Sequence, residues 1–565
     1  MKFLGMFGPG ENPSSCLLID GKIIALIEEE RLNRIKTSPN NLPIEAAKKC
    51  LEIGKISIKE VDGIGWAWDC PSYLKYLTKI NKRISSDSFN YIANQKNKIN
   101  YNPIAIKRAL KIAFKTKKLP KVHFLTHHLC HAASTFYCSG FKEANIITFD
   151  GSGEDLTTMI CEGRNEKIKI IKKIKLPNSL GAYYATFTEF LGFKAGMDEG
   201  KVMGLAAYGK YSKNLQLKLD KFLKYNKNTG DFLLNNNLRY GKNHRYGAKF
   251  TDEFVKLFGK PRDSKTSALK FPYPDIAYNV QFRLEQIAKL ISKEAYKKNN
   301  IKNFCLAGGV AMNCKMNGEI AKEKFVKNIF VQPASSDNGV SLGAAQLLAL
   351  KYGDKLSTKI NNVYYGLKYS NSEILKALKE SKLKYYKPLN LYKKVAKMIF
   401  QKKIICWFQG KMEFGARALG NRSILASPLF KDMKLKINKD VKHRENWRPF
   451  CPSIIEHEYE KYIDSKIKSR FMTIALPVKK KISKLIPSCV HVDNTVRAQI
   501  VEKNVNLKYW KLINEFKKIS GHGIIINTSF NVMGEPIVCS PRDAIRTFSG
   551  TGLDALVIDK YIVQK

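Results

Sequence analysis

Apolar runs that end in glycine-rich turns recur along the first part of the chain, and each is followed by a stretch with helical periodicity. Three such stretches read ANIITFDGSGEDL, NFCLAGGVAMNCKMNGEI and NIFVQPASSDNGVSLGAAQLLAL. Repeated strand, loop and helix units predict an α/β domain with sites at the carboxyl ends of the strands. Near the start, CLLIDGKIIALIEEERLNRIK places Asp20 and Gly21 between two apolar runs, which predicts a β-hairpin. The sequence shows no internal repeat.

The pattern changes near Lys359, where a new segment begins. TKINNVYYGLKYSNSEILKALKE has the features of a connection followed by a helix capped at Ser370 or Asn371. A length of 565 residues allows two to four domains. We therefore expect two domains, at residues 1–360 and 361–565.

Composition favours a soluble protein with a substantial core. Hydrophobic residues make up 44% of the chain, but none of its windows approaches the roughly 18 apolar residues of a membrane helix. The N-terminal stretch MKFLGMFGPGENPSS lacks the apolar region of a signal peptide. The twelve cysteines are scattered singly, a pattern typical of buried free thiols in a reducing compartment. We expect a cytoplasmic protein without a membrane partner.

The formal net charge of +49 has two interpretations. One is a nucleic-acid-binding face. The other is a general drift toward lysine on a solvated surface, because the lysines are spread along most of the chain. The even spread favours drift, so a nucleic-acid partner is not expected. The charge is also compatible with small anionic substrates.

The segment LTHHLCHAAST carries three of the nine histidines of the chain. His127 and His131 are four residues apart, a spacing that places both rings on one face of a helix. They could be core histidines, but Asp150 and Asp337 each follow an apolar strand and would reach the same sheet edge. Two histidines with one or two carboxylates suit a divalent ion such as iron, zinc or manganese. His128 would face away from that pair.

Two further sets of residues indicate anion binding. Glycine-rich turns after strands aim backbone N–H groups at phosphates, and the candidates are Gly151, Gly308, Gly309 and Gly339. The C-terminal half carries cations in Gly-, Pro- and aromatic-rich contexts, together with polar residues of the segment INTSFNVMGEP. The cations are Arg417, Arg422, Lys442, Arg444, Arg448 and Arg497. Surface ion pairing is the alternative interpretation, but these contexts favour a concave site for small polyanions.

Eight ordered blocks carry a resemblance that covers nearly the whole chain. They read HHLCHAAS, FDGSGE, KVMGLAAYGK, GGVAMNCKMNG, SSDNGVSLGAA, FQGKMEFGARALGNRSIL, KHRENWRPFCPS and NTSFNVMGEPIVCSP. Together they resemble the carbamoyltransferase family, which includes the nodulation carbamoyltransferase NodU and the tobramycin and cephamycin O-carbamoyltransferases. Eight blocks in the same order are far more specific than any single glycine-rich loop.

The resemblance implies a fold and an activity for each predicted domain. Residues 1–360 would form an actin-like nucleotidase domain, ribonuclease H-like and of the threonylcarbamoyl-transferase branch. Residues 361–565 would form a YrdC-like α/β domain, which condenses carbamoyl phosphate with ATP to give carbamoyl-adenylate and pyrophosphate. The first domain would then transfer the carbamoyl group to a hydroxyl of a sugar-like or natural-product acceptor and release AMP. The protein would thus be a transferase of one-carbon groups.

The resemblance also assigns roles to individual residues. Those that match the positions for carbamoyl phosphate and ATP are Arg417, Lys442, Arg448, Arg497, Asn527 and Ser529, with Lys442 and Arg448 as catalytic groups. Those that match the metal positions are His127, His131, Asp150 and Asp337, with iron as the metal favoured by resemblance and Mg accompanying ATP. Lys36 matches a basic position near the adenylate. Gly151, Gly308, Gly309 and Asn313 belong with the nucleotide, and helix capping is the alternative for Asn313.

The first loop departs from the family pattern. Most members carry a histidine, the expected general base for the acceptor hydroxyl, where GENPSSCLL has Glu11. A carboxylate could act as the base if burial or a neighbouring charge raised its pKa. Glu11 could instead bind a cationic acceptor, or it could be a bystander in a rebuilt loop. These three alternatives leave the acceptor open.

Two other functions compete with an O-carbamoyltransferase. A tRNA-modifying threonylcarbamoyl-type transferase would explain the same two folds and the basic charge. A nucleotide-binding protein without acceptor chemistry would explain the altered first loop. The fused domain order and the block MEFGARALGNRSIL favour the small-molecule enzyme. Its expected partners are ATP, carbamoyl phosphate and a small hydroxyl-bearing acceptor, and a homodimer is expected only by resemblance.

Overall fold

The computed structural model describes residues 1–81, 98–240 and 249–565, which form two compact units. The first unit contains Met1–Ile23 and Asn40–Lys359, and the second contains Ile24–Pro39 and Ile360–Lys565. The main boundary thus falls between Lys359 and Ile360, while the short stretch Ile24–Pro39 groups with the C-terminal part of the chain. Within the described ranges, every helix is too short or too polar to cross a membrane.

Helices and strands alternate along both units, and the α/β class predicted from the sequence is confirmed. The strands are β1 Lys2–Phe7, β2 Ser14–Ile19, β3 Lys22–Glu28, β4 Gly63–Trp66, β5 Val122–Phe124, β6 Glu143–Gly153, β7 Leu156–Arg164, β8 Lys167–Lys175, β9 Leu223–Tyr225, β10 Phe232–Leu234, β11 Asn303–Ala307, β12 Asn328–Val331, β13 Tyr385–Tyr386, β14 Ile405–Phe408, β15 Arg422–Ala426, β16 Cys451–Ile455, β17 Leu476–Pro477, β18 Thr495–Val496, β19 Gln499–Val501, β20 Ile524–Ser529, β21 Ala555–Ile558 and β22 Tyr561–Gln564. The α-helices are α1 Glu30–Asn33, α2 Ile44–Gly54, α3 Cys70–Asn81, α4 Pro103–Ala113, α5 His127–Ser139, α6 Leu180–Phe190, α7 Glu199–Leu205, α8 Lys213–Phe222, α9 Asn237–Tyr240, α10 Asp252–Phe258, α11 Tyr273–Asn299, α12 Cys314–Ala321, α13 Val340–Lys351, α14 Asn371–Glu380, α15 Leu391–Phe400, α16 Met433–Lys436, α17 Tyr459–Tyr462, α18 Lys480–Ser483, α19 Leu507–Ser520 and α20 Pro541–Ser549.

Two five-stranded sheets of the same plan build the first unit. Their strand orders are β3–β2–β1–β4–β5 and β12–β11–β6–β7–β8. In the first sheet β1, β4 and β5 are parallel, and β2 pairs with β1 in the antiparallel direction. In the second sheet β12, β11 and β6 are parallel, and β7 and β8 continue from β6 as an antiparallel meander. The predicted hairpin at Asp20 and Gly21 is confirmed, and the first residues of β3 belong to this unit. This structural duplication is not accompanied by an internal repeat in the sequence.

The parallel strands bring distant segments to one sheet edge. β6 and β12 flank β11, and all three are parallel. Asp150 lies at the carboxyl end of β6, Gly308 directly follows β11, and Asp337 follows β12 in a short 3₁₀ turn. Because parallel strands end at the same edge, these residues converge although they are far apart in the sequence.

Close packing of α5 against α13 fixes the histidine helix. A Cβ atom added at Gly343 of α13 would lie 1.8 Å from the carbonyl oxygen of Cys130 in α5. Only glycine permits this approach, which keeps the two helices in direct backbone contact. α13 also begins just after Asp337, so the same contact relates Asp337 to the histidines.

An eight-stranded sheet forms the second unit, with strand order β13–β22–β21–β14–β15–β20–β16–β19. α15 and α19 place their apolar faces on this sheet around the fully buried Trp407. The predicted helix start at Ser370 is confirmed by a capping box between Ser370 and Glu373. Each of the twelve cysteines of the protein is a buried free thiol, as the sequence predicted.

Substitution of Gly343 by alanine should destabilise the first unit. The new methyl group would overlap the carbonyl oxygen of Cys130, and overpacking of this kind costs about 1–3 kcal/mol. Denaturant unfolding would measure the loss. Gly200→Ala is the control, because a Cβ at Gly200 meets no atom within 4 Å; equal unfolding midpoints for both variants would contradict the packing argument.

Candidate active site

Two histidines of α5 belong to the candidate site in the first unit. His127 and His131 are fully buried, and their Nε2 atoms lie 3.1 Å apart. The helical spacing recognised in the sequence produces this pairing, with the rings nearly perpendicular. His128 points elsewhere, and its Nδ1 lies 2.6 Å from the hydroxyl of Thr148.

Two carboxylates complete the cluster. Oδ2 of Asp150 lies 3.3 Å from Nε2 of His127 and 3.5 Å from Nε2 of His131. Oδ1 of Asp337 lies 3.6 Å and 3.9 Å from the same two atoms. All four donor atoms are within 4.8 Å of one another, so a single ion could contact each of them.

The hydrogen bonds around the cluster test whether these residues suit a metal. Nδ1 of His127 faces the carbonyl oxygen of Ala67 at 3.1 Å, so this nitrogen donates a hydrogen bond to the backbone and Nε2 is the atom available to a metal. Burial alone would lower the pKa of His127, but Asp150 and Asp337 outweigh it and raise that pKa well above its ordinary value. Burial would raise the pKa of Asp150, yet the two histidines hold it well below the usual range. The donor set therefore fits a divalent cation such as iron, manganese or zinc.

Glu154 supports the histidine helix and was not recognised from the sequence. Its carboxylate accepts the backbone N–H of His127 at 3.0 Å and that of Asp69 at 2.7 Å. It therefore caps the start of α5 from a distant turn, and burial raises its pKa. The sequence offered only one hint, an acidic residue that ends the block FDGSGE.

The glycine loops lie at the same cluster. The backbone N–H of Gly309 donates to Oδ1 of Asp150 at 2.9 Å. Gly308 has a φ of 94°, and its N–H donates to the carbonyl oxygen of Ser335 at 2.7 Å. Gly151 lies in the neighbouring turn, where its carbonyl oxygen accepts the hydroxyl of Ser179 at 2.7 Å. The candidate metal site and candidate nucleotide loop are thus one assembly.

Asn313 has the contacts of a helix cap. Its side-chain oxygen accepts the backbone N–H of Met316 at 3.0 Å at the start of α12, and its amide exchanges hydrogen bonds with Gln281. The capping alternative is therefore present in the structure, and nucleotide contact by Asn313 stays a prediction.

Glu11 is an exposed residue of the loop between β1 and β2. Burial was one of the two ways in which this carboxylate could gain the raised pKa of a general base. Because the side chain is exposed, burial does not supply that shift. A base role for Glu11 stays a prediction that would depend on a neighbouring charge.

The second unit gathers cations around the buried Lys442. The Nζ atom donates to the carbonyl oxygen and the side-chain oxygen of Asn531, both at 2.9 Å, and to the carbonyl oxygen of Ser529 at 2.5 Å. Burial, followed by the charges of Arg444 and Arg448, lowers the pKa of Lys442 well below its ordinary value. Lys36 contributes to the same shift, so the N-terminal stretch delivers a cation to this cluster.

The guanidinium groups of the cluster have distinct supports. Nε of Arg444 donates to Asn438 at 2.7 Å, and burial with the charge of Arg448 lowers the pKa of Arg444 to about 9. Nε and Nη2 of Arg497 both lie 3.1 Å from Sγ of Cys451. Nη1 of Arg448 lies 3.7 Å from Glu445. Positive charges held this closely repel one another, so an anion bound among them would be stabilised.

Arg422 has a structural role although the sequence grouped it with the anion-binding cations. It is fully buried, donates to the carbonyl oxygens of Gln409 and Asn421, and stacks 3.6 Å from the ring of Phe408. Arg417 is half-buried on the turn that precedes it.

The polar residues of β20 line the same region. Asn527 lies opposite Cys451 in the pairing of β16 with β20, and its amide donates to Ser453 and Gln499. The hydroxyl of Ser529 donates to the side-chain oxygen of Asn531 at 2.7 Å. Asn531 thereby holds both Ser529 and Lys442.

Alanine at either His127 or His131 should abolish tight binding of a divalent ion. Each substitution removes one of the two imidazole donors and leaves one imidazole and two carboxylates in place of four ligands. Titration calorimetry with Mn²⁺ or Fe²⁺ would measure binding. His123→Ala is the control, because His123 contacts Tyr352 instead; unchanged affinity in the His127 variant would contradict the assignment.

Glu154→Gln should weaken the same binding about 10- to 100-fold, the usual effect of losing a group that orients a metal ligand. The amide keeps one acceptor oxygen but loses the charge and second oxygen that hold the start of α5. Asp155→Asn, which removes an exposed pairing with Lys175, should have no effect. Equal losses in both variants would show a non-specific effect of charge.

Family models and relatives place these sites in context. The Carbamoyltransferase N-terminus model matches residues 13–346, and the Carbamoyltransferase C-terminus model matches residues 396–565. An uncharacterised protein of Synechocystis is 35% identical over 100% of this chain and 96% of its own. Nodulation protein NolNO of Sinorhizobium fredii is 33% identical over 98% of this chain and 78% of its own.

Solved structures give weaker similarities. HypF of T. kodakarensis has a TM-score of 0.33 and 17% identity, covering 63% of this chain and 49% of its own. Component A of the Acidaminococcus fermentans (R)-2-hydroxyglutaryl-CoA dehydratase has a TM-score of 0.34 and 14% identity, covering 63% of this chain and 100% of its own. These scores carry no argument about function. Matches of both family models, together with relatives that align along nearly the whole chain, show that the chain belongs to the carbamoyltransferase family and is a carbamoyltransferase enzyme.

Proposed function

We propose that the enzyme uses ATP and carbamoyl phosphate to make carbamoyl-adenylate in the second unit, and that the first unit transfers the carbamoyl group to a hydroxyl. The observation that carries the proposal is the cluster of Lys442, Arg444, Arg448 and Arg497, with Lys36 beside it. Burial and mutual repulsion lower the pKa of Lys442 and of Arg444. Phosphate anions of both substrates would relieve that repulsion.

The balance of atoms defines the first half-reaction. Water cleaves carbamoyl phosphate to carbamate and phosphate. A carbamate oxygen then attacks the α-phosphorus of ATP, which forms one P–O bond and expels pyrophosphate. The guanidinium forks suit the oxygens of phosphate, and Lys442 acts as a point charge, so together they screen the repulsion between the two anions and align the attack.

In the second half-reaction the acceptor hydroxyl gives its proton to a base and attacks the carbamoyl carbon, and AMP leaves with the electrons of the broken C–O bond. The turn at Gly308 and Gly309 has no side chains, so the adenylate phosphate would approach the backbone closely there, beside Asp150. A divalent ion held by His127, His131, Asp150 and Asp337 would supply positive charge for that phosphate. We propose a sugar-like or natural-product hydroxyl as the acceptor; Glu11 would face it at the rim of the first loop.

Carbamoyl phosphate should drive exchange of labelled pyrophosphate into ATP. Lys442→Ala and Arg448→Ala should each reduce this exchange by roughly 100-fold or more, because each removes a charge that the anions require. Arg470→Ala is the control, since Arg470 forms an ion pair with Glu502 at the surface. Exchange at the wild-type rate in the Lys442 variant would remove that residue from the centre, and absence of exchange in the wild-type enzyme would overturn the adenylate route.

A further inference from the structure

The stretch Ile24–Pro39 is part of the second unit although it lies near the N-terminus. It contains the end of β3, the short helix α1 and Lys36. Two of its arginines hold it in place. Nη2 of Arg31 donates to the carbonyl oxygen of Gly415 at 2.7 Å, and Arg34 donates to the carbonyl oxygens of Pro536 and Ile537. The stretch therefore bridges two turns of the second unit.

Glu30 is the centre of the contacts inside this stretch. One carboxylate oxygen accepts Nε of Arg31 at 3.0 Å. The other accepts the backbone N–H of Thr37 at 2.7 Å and lies 3.3 Å from Nζ of Lys36. Glu30 is only 4% exposed. Burial would raise its pKa, but Arg31 and Lys36 lower it below the ordinary value, so the carboxylate is ionised at neutral pH.

Arg31 connects Glu30 to the turn that carries a predicted substrate cation. Its guanidinium is buried between Glu30 and Glu28, and the N–H of Gly415 donates to Glu28 at 2.5 Å. Gly415 is therefore held by its N–H and its carbonyl oxygen. Arg417 follows two residues later, so the same contacts set the position of its backbone.

Lys36 is a poor ligand unless something restrains it. Its side chain is 36% exposed and has a flexible four-carbon stem, and ordering this side chain costs conformational entropy. The stretch nevertheless lies beside the turn that holds Lys442. Arg34 donates to the carbonyl oxygens of Pro536 and Ile537, and Asn531, which accepts Nζ of Lys442, donates to the carbonyl oxygen of Glu535. In agreement, the charge of Lys36 helps to lower the pKa of Lys442. Two neighbouring lysines repel each other, so a carboxylate that holds Lys36 opposes a drift into solvent.

We propose that Glu30 is a positioning residue of the adenylate-forming centre. By holding the N–H of Thr37 and the ammonium of Lys36, its carboxylate presents Lys36 beside Lys442 to a phosphate oxygen of the substrate. The inference rests on the proposed function, because it needs an anionic substrate at this cluster. Phosphate is common to ATP and carbamoyl phosphate, and kinetics with each varied separately distinguishes them.

The test is a double-mutant cycle on carbamoyl phosphate-dependent pyrophosphate exchange. Glu30→Gln keeps one acceptor oxygen, which serves either Arg31 or Thr37, and removes the charge that holds Lys36. Lys36→Met removes the ammonium and keeps most of the side-chain length. We expect Glu30→Gln to raise the KM for one of the two substrates roughly fivefold with little change in kcat, and Lys36→Met to raise the same KM further.

Coupling between the two sites decides the question. In the Lys36→Met background, Glu30→Gln should change the KM by less than about twofold, because Glu30 would then have no ammonium to position. Additive effects would mean that Glu30 acts only on structure and would overturn the inference. The KM of the Glu30→Asp variant should lie closer to the wild-type value than that of Glu30→Gln, since aspartate retains the charge.

A control separates positioning from the loss of any carboxylate that holds both a lysine and a backbone N–H. Asp554 accepts a backbone N–H from Ile404 at 2.8 Å and Nζ of Lys403 at 3.0 Å, the same pair of partner types as Glu30. Asp554→Asn should leave both KM values unchanged. Rates are expressed per folded enzyme from unfolding curves. If the wild-type enzyme catalyses pyrophosphate exchange but the Glu30 and Lys36 substitutions are not coupled, only the inference is wrong. If the wild-type enzyme catalyses no exchange, the proposed function itself is wrong.

Discussion

The free-energy cost of burying charge governs both units of this protein. An ionised group removed from water needs a partner of opposite charge or several hydrogen bonds. In the first unit, Asp150 and the partly exposed Asp337 meet two fully buried imidazoles. In the second, cations meet one another, and burial together with this repulsion lowers the pKa values of Lys442 and Arg444. Both arrangements persist because the surrounding backbone fixes them.

The scaffold that fixes the first cluster is the meeting of parallel strand ends with one tightly packed helix pair. β6, β11 and β12 deliver Asp150, the glycine loop and Asp337 to one edge. The contact between Gly343 and Cys130 places the histidine helix above that edge. Glu154 then holds the first turn of the helix through backbone hydrogen bonds. The strand ends, the helix contact and Glu154 all fix the backbone, and this restricts where the side chains of the cluster can lie.

In the second unit, buried carboxylates organise the turns that carry the cations. Glu413 accepts the backbone N–H groups of Leu419, Asn421 and Arg422. Glu28 accepts the N–H of Gly415, and Arg31 compensates the charge of these acids. These two buried carboxylates therefore hold the backbone of the turn that carries Arg417.

The sequence by itself determined the α/β class, the hairpin, the capped helix at Ser370, the family and the four residues of the metal-like cluster. These features depend on local spacing or on ordered motifs, which are legible without coordinates. Only the tertiary structure decided that Ile24–Pro39 joins the second unit, that Glu154 caps the histidine helix and that Arg422 binds carbonyl oxygens. It also revealed two sheets of one plan without a sequence repeat. Contacts between residues far apart in the chain depend on packing, and packing leaves no periodic trace in the sequence.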